Sequence, residues 1–169
     1  VIGSLHADHK TYLQQCYANL SWKNFFIEVG TREQQQVVRD NLLSVGSFVK
    51  GTNAKPIPQI HLGTNGFWNV PFTKEWVQIN FDFGYGKFLD GQYREDAFYQ
   101  GNNLLYSKGI YYHQKHLYIR SNPTKPIFVM VGIEHAAQFG GTSYGYNRKG
   151  VFTSKSKPTN LKAFWNVIL

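Results

Sequence analysis

The chain has 169 residues, a single cysteine and a formal net charge of +8. This length suits one domain with a sizeable core, and we expect a single domain over residues 1–169. One cysteine excludes an intrachain disulfide, and no apolar run approaches the roughly 20 residues of a membrane-spanning helix. The basic residues are scattered along the chain, which indicates no dedicated nucleic-acid surface.

The first 31 residues contain one clear pattern. Residues 1–20 are compatible with a short amphipathic helix or with an arm laid over the core. The segment from Trp22 to Val29 is dense in β-forming residues and predicts the first strand. Gly30 then interrupts the strand before Thr31, a residue suited to a helix N-cap.

A helix is predicted at about residues 32–50. Its apolar side chains recur at spacings of four, three and four, which places them on one stripe; they are Val38, Leu42, Val45 and Val49. Gly51 suits the left-handed position after a helix C-terminus. Since most of the remaining chain is typical of strands and turns, we predict an α+β domain. Its mostly antiparallel β-sheet is expected to curve around this one central α-helix.

The segment from Trp76 to Phe83 has the clearest strand alternation. Successive side chains of a strand point to opposite faces. One face would carry Val77, Ile79, Phe81 and Phe83, which we expect to meet the helix. The other would present Trp76, Gln78, Asn80 and Asp82 to solvent. Earlier strands are predicted at residues 57–62 and 66–72, with Asn65-Gly66 as a hairpin turn.

The second half of the chain predicts loops, a hairpin and two further strands. Residues 84–108 show little periodicity and predict a long loop, and residues 136–150 predict another. A hairpin is expected over residues 110–120, turning at Gln114-Lys115. Residues 126–133 predict a buried strand. Residues 162–169 predict a closing strand with Trp165 in the core.

Histidine and carboxylate residues allow a catalytic interpretation. His113 and His116 would flank the predicted turn, and Glu134-His135 would follow a buried strand as an acid–base pair. These four residues are the catalytic candidates of an alternative function, a secreted or delivered nuclease-type toxin domain. No spacing supplies a complete metal-ligand set or a nucleophile with its base, so we expect no enzyme activity, metal site or cofactor.

Sugar binding fits the residue types better. Aromatic residues make up 17% of the chain, including 11 Tyr and 4 Trp, more than a core needs. Tyr and Trp offer an apolar face for sugar C–H groups, while amides and carboxylates bind hydroxyls. The candidate glycan-binding residues are Trp76, Gln78, Asn80, Asp82, Tyr85, Tyr93, Tyr144, Tyr146, Asn147 and Arg148. The two Tyr-rich loops would wall a shallow groove beside the polar strand face.

RNA binding by stacking is the weaker aromatic interpretation. Tyr111, Tyr112 and Tyr118 lie near Lys115 and Arg120 in the sequence. The chain has no RNA-recognition motif and its positive charge is diffuse. We therefore expect no nucleic-acid partner.

The chain as a whole resembles the receptor-binding head of a rotavirus spike protein. The resemblance lies in its size, its start at Val1 rather than Met, its Asn-, Tyr- and Trp-rich β composition, and the passage Thr64-Asn65-Gly66-Phe67-Trp68. The predicted helix does not belong to the galectin-like heads of that family, which implies a divergent, group B-like branch.

The resemblance implies a viral attachment domain with a lectin-like, non-enzymatic function. It would be a fragment of a longer spike chain, located on the outer capsid of the virion and outside the cell. The expected partners are host cell-surface glycans and the rest of the spike. No membrane insertion is expected.

Overall fold

The computed structural model describes residues 2–5, 11–33, 54–89, 91–101, 105–147 and 149–168. These residues form a mostly antiparallel β structure with few helices, as the sequence predicts. The elements are β1 (Ile2–Leu5), β2 (Thr11–Trp22), β3 (Phe25–Thr31), β4 (Pro58–Thr64), β5 (Trp68–Asn69), β6 (Val77–Lys87), α1 (Gly91–Tyr99), β7 (Leu105–Lys108), β8 (Tyr111–Ser121), β9 (Met130–Phe139), β10 (Thr142–Tyr146), β11 (Phe152–Ser156) and α2 (Leu161–Asn166).

The strands form two sheets. The larger sheet has eight strands in the order β1-β2-β3-β4-β6-β8-β9, with β5 paired to β6, and the smaller has the order β11-β10-β7. The chain divides into two compact units. Unit 1 comprises Val1–Gly84 and Gln114–Ala136, and unit 2 comprises Tyr85–His113 and Ala137–Leu169. The expectation of a single domain stays a prediction.

Unit 1 begins with antiparallel strands in regular register. Lys23 and Asn24 form a turn between β2 and β3, and Lys23 adopts a positive φ of 53° there. Leu20 of β2 lies opposite Ile27 of β3, which in turn lies opposite Leu62 of β4. Because directly opposed residues share a face, the same register places Asn19, Glu28 and His61 together on the other face.

The central helix predicted at about residues 32–50 falls almost wholly outside the described residues. Thr31 is the last residue of β3, and Arg32 and Glu33 follow it without helical structure. The helix, and the curvature of the sheet around it, stay predictions from the sequence.

Several local predictions are confirmed and others are wrong. Strands β4 and β6 confirm the predictions at residues 57–62 and 76–83. In the region from 66 to 72, only Trp68–Asn69 pairs as a strand. The first 20 residues contain β1 and most of β2, so neither the helix nor the arm is found in their described part.

The predicted long loop at residues 84–108 is wrong. Strand β6 continues to Lys87, α1 occupies Gly91–Tyr99, and β7 follows. The predicted hairpin at Gln114-Lys115 is also wrong, because β8 runs without interruption from Tyr111 to Ser121. The second predicted loop contains the end of β9 and all of β10.

The predicted closing strand is a helix. Asn160 caps α2, and its Oδ1 accepts the backbone N–H of Ala163 at 3.0 Å. Trp165 is 65% exposed, so its predicted place in the core is wrong. The predicted buried strand at residues 126–133 begins only at Met130, and its Val131 and Ile133 are exposed.

Candidate functional site

Asn80 is the most tightly held of the predicted sugar-binding residues. Its Nδ2 donates to Thr64 Oγ1 at 3.0 Å and to the Gly66 carbonyl at 2.9 Å. Its Oδ1 accepts from His116 Nε2 at 2.9 Å. The side chain is 1% exposed. The prediction that Asn80 faces solvent is therefore wrong, because its amide is satisfied by partners inside unit 1 and can be buried.

Asp82 and Gln78 lie on the same strand and are also engaged by neighbours. His61 Nδ1 donates to Asp82 Oδ1 at 3.1 Å, and Gln114 Nε2 approaches the same oxygen at 3.4 Å. Arg120 Nε donates to Gln78 Oε1 at 2.8 Å, and Gln78 Nε2 donates to an oxygen of Asn69. The side chain of Asp82 is only 14% exposed. These hydrogen bonds hold strands together instead of presenting free groups to a sugar.

The same face continues through β3, β8 and β9 with further polar contacts. Glu28 Oε2 accepts from Arg32 at 2.6 Å and from Asn19 at 3.1 Å. Tyr118 donates its hydroxyl hydrogen to Glu134. We call this surface of unit 1 the polar face; it comprises Asn19, Glu28, Gln59, His61, Gln78, Asn80, Asp82, His116, Tyr118, Arg120 and Glu134. Its hydrogen bonds satisfy buried groups such as the Asn80 amide, whereas the buried Oε1 of Gln59 has no hydrogen-bond partner among the described residues.

Electrostatics within the polar face follow from burial. Burial lowers the pKa of His116, while the charges of Asp82 and Glu134 oppose that shift and His61 reinforces it. Burial and the hydrogen bond to Glu134 raise the pKa of Tyr118. The neutral form of His116 is therefore favoured. Tyr118 keeps its hydroxyl proton and acts as a hydrogen-bond donor.

Trp76 differs from its polar-face neighbours because it stays accessible. It precedes β6, is 43% exposed, and has the ammonium group of Lys125 at 5.5 Å from its ring centroid. Its backbone carbonyl accepts the N–H of Asn122 at 2.9 Å. The structure thus places Trp76 on the surface of unit 1, as the alternation predicts, without a free polar group from Asn80 or Asp82 beside it.

The predicted residues Tyr85 and Tyr93 belong to unit 2 and differ in exposure. Tyr85 donates its hydroxyl hydrogen to the Phe164 carbonyl at 2.7 Å and lies 4.6 Å from the ring of His113. Burial raises the pKa of Tyr85. Tyr93 lies on α1 and is 74% exposed. Tyr85 is consequently a packing residue, and Tyr93 is an accessible one.

Tyr144 and Tyr146 lie two residues apart on β10 and share a face of the smaller sheet. Tyr144 stacks on Tyr106 of β7 with ring centroids 4.9 Å apart. Tyr146 stacks on Phe98 of α1 at 5.7 Å and meets the ring of Phe152 at 5.5 Å. Phe98 is buried beneath them, whereas Tyr146 is 62% exposed. These contacts join the rings in one aromatic surface.

We call this surface the aromatic cluster of unit 2; it comprises Phe98, Tyr99, Tyr106, Tyr144, Tyr146 and Phe152. Polar groups border it. Tyr106 donates to Glu95 Oε1 at 3.0 Å, and Lys108 pairs with the same carboxylate and holds its pKa below the usual range. Asn147 Oδ1 accepts the N–H groups of Lys149 and Val151, which fixes the turn after β10. Arg148 lies outside the described residues.

Phe98, Tyr106 and Phe152 are the contributors that the sequence did not single out. Phe98 and Tyr106 fell in the predicted long loop, and Phe152 followed the second one. The alternation of Tyr144 and Tyr146 around Gly145 was the sequence signal for an aromatic surface, since a strand places such residues on one face.

The catalytic candidates lie on two strands, β8 and β9. His113 and His116 are three residues apart on the continuous strand β8, so their side chains project from opposite faces. Glu134 accepts the hydroxyl hydrogen of Tyr118, and His135 is half-buried on β9. Across the residues with described placement, no three His, Cys, Asp or Glu side chains form a group that could hold a metal ion.

Comparison with known proteins returns no relative: no family model matches the chain, and no curated protein or solved structure is significantly similar to it. The resemblance to rotavirus spike heads therefore stays an expectation. None of the helices in the described ranges is long and apolar enough to cross a membrane.

Proposed function

We propose that this protein binds glycans in a lectin-like, non-enzymatic manner, through the aromatic cluster of unit 2. The observation that carries the proposal is the ring of Tyr146. It is 62% exposed and is held in place by stacking on Phe98 and by the edge contact with Phe152. An exposed ring with a fixed orientation is the surface on which the C–H face of a pyranose stacks.

The packing of the rings against one another supports this proposal as much as exposure does. Binding loses affinity when side chains must be ordered, and a ring already fixed by neighbours avoids that cost. Tyr106 and Tyr144 extend the surface by stacking 4.9 Å apart with nearly parallel rings. Glu95 borders this surface and accepts from Tyr106 and Lys108, which holds the Tyr106 hydroxyl in place.

The proposal moves the site away from the polar face of unit 1. Of the residues predicted there, Asn80 and Asp82 use their polar atoms on partners within the unit. Trp76 stays exposed and is the second aromatic candidate. Tyr146 is preferred because several rings join in one surface around it.

Attachment to host cells, an outer-capsid location and a parent spike chain are proposed only from the resemblance to rotavirus heads. The nuclease-type alternative gains no support, since His113 and His116 project from opposite faces of β8. The helix over residues 32–50 is likewise proposed only from its apolar stripe.

A glycan array probed with the purified chain tests the proposed function, followed by titration of the best ligand. We expect Tyr146→Ala to weaken binding by about 1–2 kcal/mol, because a few aromatic anchors usually dominate recognition. Tyr146→Phe keeps the ring and should retain most of the affinity. Trp165→Ala removes an equally exposed aromatic side chain from α2 and should bind normally.

Near-ultraviolet circular dichroism will establish that each variant is folded. An array without a bound glycan would refute the function. A bound glycan with unchanged affinity for Tyr146→Ala would refute the site.

A further inference from the structure

Arg120, on the polar face of unit 1, is held in place without a counter-ion. Its guanidinium carbon lies 3.6 Å from the ring centroid of Phe67, and its Nε donates to Gln78 Oε1 at 2.8 Å. Among the described residues, no acceptor contacts the two terminal nitrogens of the guanidinium group. Arg32 differs, because Glu28 Oε2 accepts from its terminal nitrogen at 2.6 Å. Arg120 therefore has a fixed orientation and two unused donors.

The electrostatics of Arg120 agree with this geometry. Burial lowers the pKa of Arg120, whereas the hydrogen bond to Glu28 raises the pKa of Arg32. In the part of the chain that the structure describes, neither Glu75 nor another carboxylate pairs with Arg120 or Lys125. A partly desolvated cation without a counter-ion is unfavourable, and an anionic ligand would offset that cost.

A second cation, Lys125, lies close to Arg120. Its ammonium group is 5.5 Å from the ring centroid of Trp76. Trp76 and Gln78 are two residues apart, which is about 7 Å along an extended chain. Because Gln78 binds Arg120 and Trp76 contacts Lys125, the two cations lie beside neighbouring positions of one strand.

Exposed aromatic side chains adjoin these cations. Trp76 is 43% exposed and Phe72 is completely exposed. Phe72 lies in the loop between β5 and β6, with a positive φ of 68°. The Thr73 hydroxyl donates to the Val70 carbonyl at 2.8 Å, and the Thr73 carbonyl accepts the Trp76 N–H at 3.0 Å. Such a strained backbone is typical of segments that bind a ligand.

We propose that this region of unit 1 binds an acidic peptide segment of a protein partner, with a carboxylate of the partner on the terminal nitrogens of Arg120. We call the region the basic aromatic patch; it comprises Phe67, Phe72, Trp76, Gln78, Arg120 and Lys125. The terminal nitrogens of an arginine form a planar fork that matches the two oxygens of a carboxylate. The patch is independent of the glycan site, which lies in unit 2.

A peptide fits the patch better than other anions or a sugar do. Side chains on one side of an extended peptide recur every two residues, about 7 Å, which matches the spacing of Trp76 and Gln78. Aromatic residues and arginine are enriched in protein interfaces. A neutral sugar would leave Arg120 without a counter-ion. Nucleic acid is bound by many cations along its backbone, and the patch offers two.

NMR titration of the full chain tests the proposal. The probe is a short capped peptide in which Glu alternates with Leu, and its counterpart has Gln in place of Glu. We expect the Glu peptide to shift the indole N–H signal of Trp76, assigned with Trp76→Phe, and the Gln peptide to leave it unchanged. Trp165 is the internal control, since it is 65% exposed but lies on α2. An unmoved Trp76 signal, or equal shifts of Trp76 and Trp165, would overturn the proposal.

Charge variants give a second readout of the same titration. We expect Arg120→Gln to weaken binding of the Glu peptide by about 10-fold or more, because it removes two charge-assisted hydrogen bonds. Lys155→Gln removes the same charge from an exposed position of β11 and should change affinity by no more than about 2-fold. Equal losses in the two variants would show attraction to net charge alone and would overturn the proposal.

Two other anionic ligands have distinct outcomes. A sulfated oligosaccharide that shifts the Trp76 signal at lower concentration than the Glu peptide would overturn the proposal in favour of a sugar sulfate. A single-stranded oligouridylate that does so would overturn it in favour of nucleic acid. Weaker effects of both ligands would support the peptide.

Discussion

Tyr118 lies flat against the backbone of Gly132, and this contact explains why a glycine occupies that position. A Cβ at residue 132 would come within 2.1 Å of Cδ1 and 2.4 Å of Cε1 of Tyr118. The ring is buried and its hydroxyl is tied to Glu134, so it has little room to move. His61 covers Gly84 in the same way, with Nδ1 at 2.6 Å from the position of a Cβ there.

Gly132→Ala should destabilise the protein by about 1–3 kcal/mol, the usual effect of overpacking. Chemical denaturation measures the change. The double variant Gly132→Ala/Tyr118→Ala is the matched control, because without the ring the added methyl should have little further effect. Strictly additive losses would show that the ring does not set the requirement for glycine.

His116 should make stability depend on pH. Its folded-state pKa lies below the ordinary value of 6.5, so the unfolded chain takes up the proton first. The free energy of unfolding should therefore fall as pH drops below 6.5, until the folded-state pKa is passed. His116→Gln keeps a donor for Asn80 but does not titrate, so its pH profile of unfolding should be flatter in this range. Parallel profiles would contradict the assignment.

The burial of Asn80 could not be predicted from its neighbours in the sequence. Alternation places Gln78, Asn80 and Asp82 on one face of β6, and the structure agrees. Burial of that face depends on Thr64, Gly66 and His116, which lie 14 to 36 residues away and satisfy the amide. From the local sequence alone, a polar strand face that distant partners bury cannot be distinguished from one that faces water.

At the level of elements, α2 depends on its N-cap. Asn160→Ala removes the acceptor for the Ala163 N–H and should cost about 0.5–2 kcal/mol. The loss should also loosen Phe164, whose carbonyl accepts from Tyr85 and whose ring lies 4.8 Å from that of Phe139. Asn160→Asp keeps an acceptor and should be nearly neutral. Thermal unfolding of the two variants will separate them.

The helices were the elements that the sequence predicted least well. Residues 162–169 contain several β-forming side chains, yet Asn160 supplies a cap, and the first turn closes through the Ala163 N–H. Helix α1 has no apolar periodicity to reveal it; Phe98 is its buried side chain. Strands β4 and β6 were predictable because period-two alternation and the Asn65-Gly66 turn are local signals.

For the whole molecule, the sequence predicted two faces of the sheet but not which one is buried. Alternation in β6 separates Ile79 and Phe81 from Gln78 and Asn80, and the same pattern would suit a sheet in either environment. We predicted that the polar face would meet solvent because we assumed that apolar residues face a protein core. The exposure of Ile27, Ile60 and Val131 is the observation that reverses it in unit 1.

Solution behaviour should follow from this reversed arrangement. We expect the unmodified chain to stay monodisperse only with detergent, because the exposed side chains of Ile27, Ile60, Ile119 and Ile133 otherwise associate between copies. A variant with Ile27, Ile60, Ile119 and Ile133 all changed to Thr keeps β-branched side chains and should need less detergent. Light scattering after size exclusion measures both. A monodisperse unmodified chain in plain buffer would contradict this expectation.

Tolerance to natural variation should also differ between the two faces of the sheet. Ile27, Ile60 and Leu62 are 43% to 58% exposed, so exchange among Leu, Ile, Val and Phe should be nearly neutral there. Asn80 and His61 each make specific hydrogen bonds in a buried setting, so even substitutes of similar volume leave a donor or acceptor unsatisfied. The buried polar side chains of unit 1 would then be the positions that change most slowly during evolution. Its exposed aliphatic positions would exchange readily among hydrophobic residues of different shape.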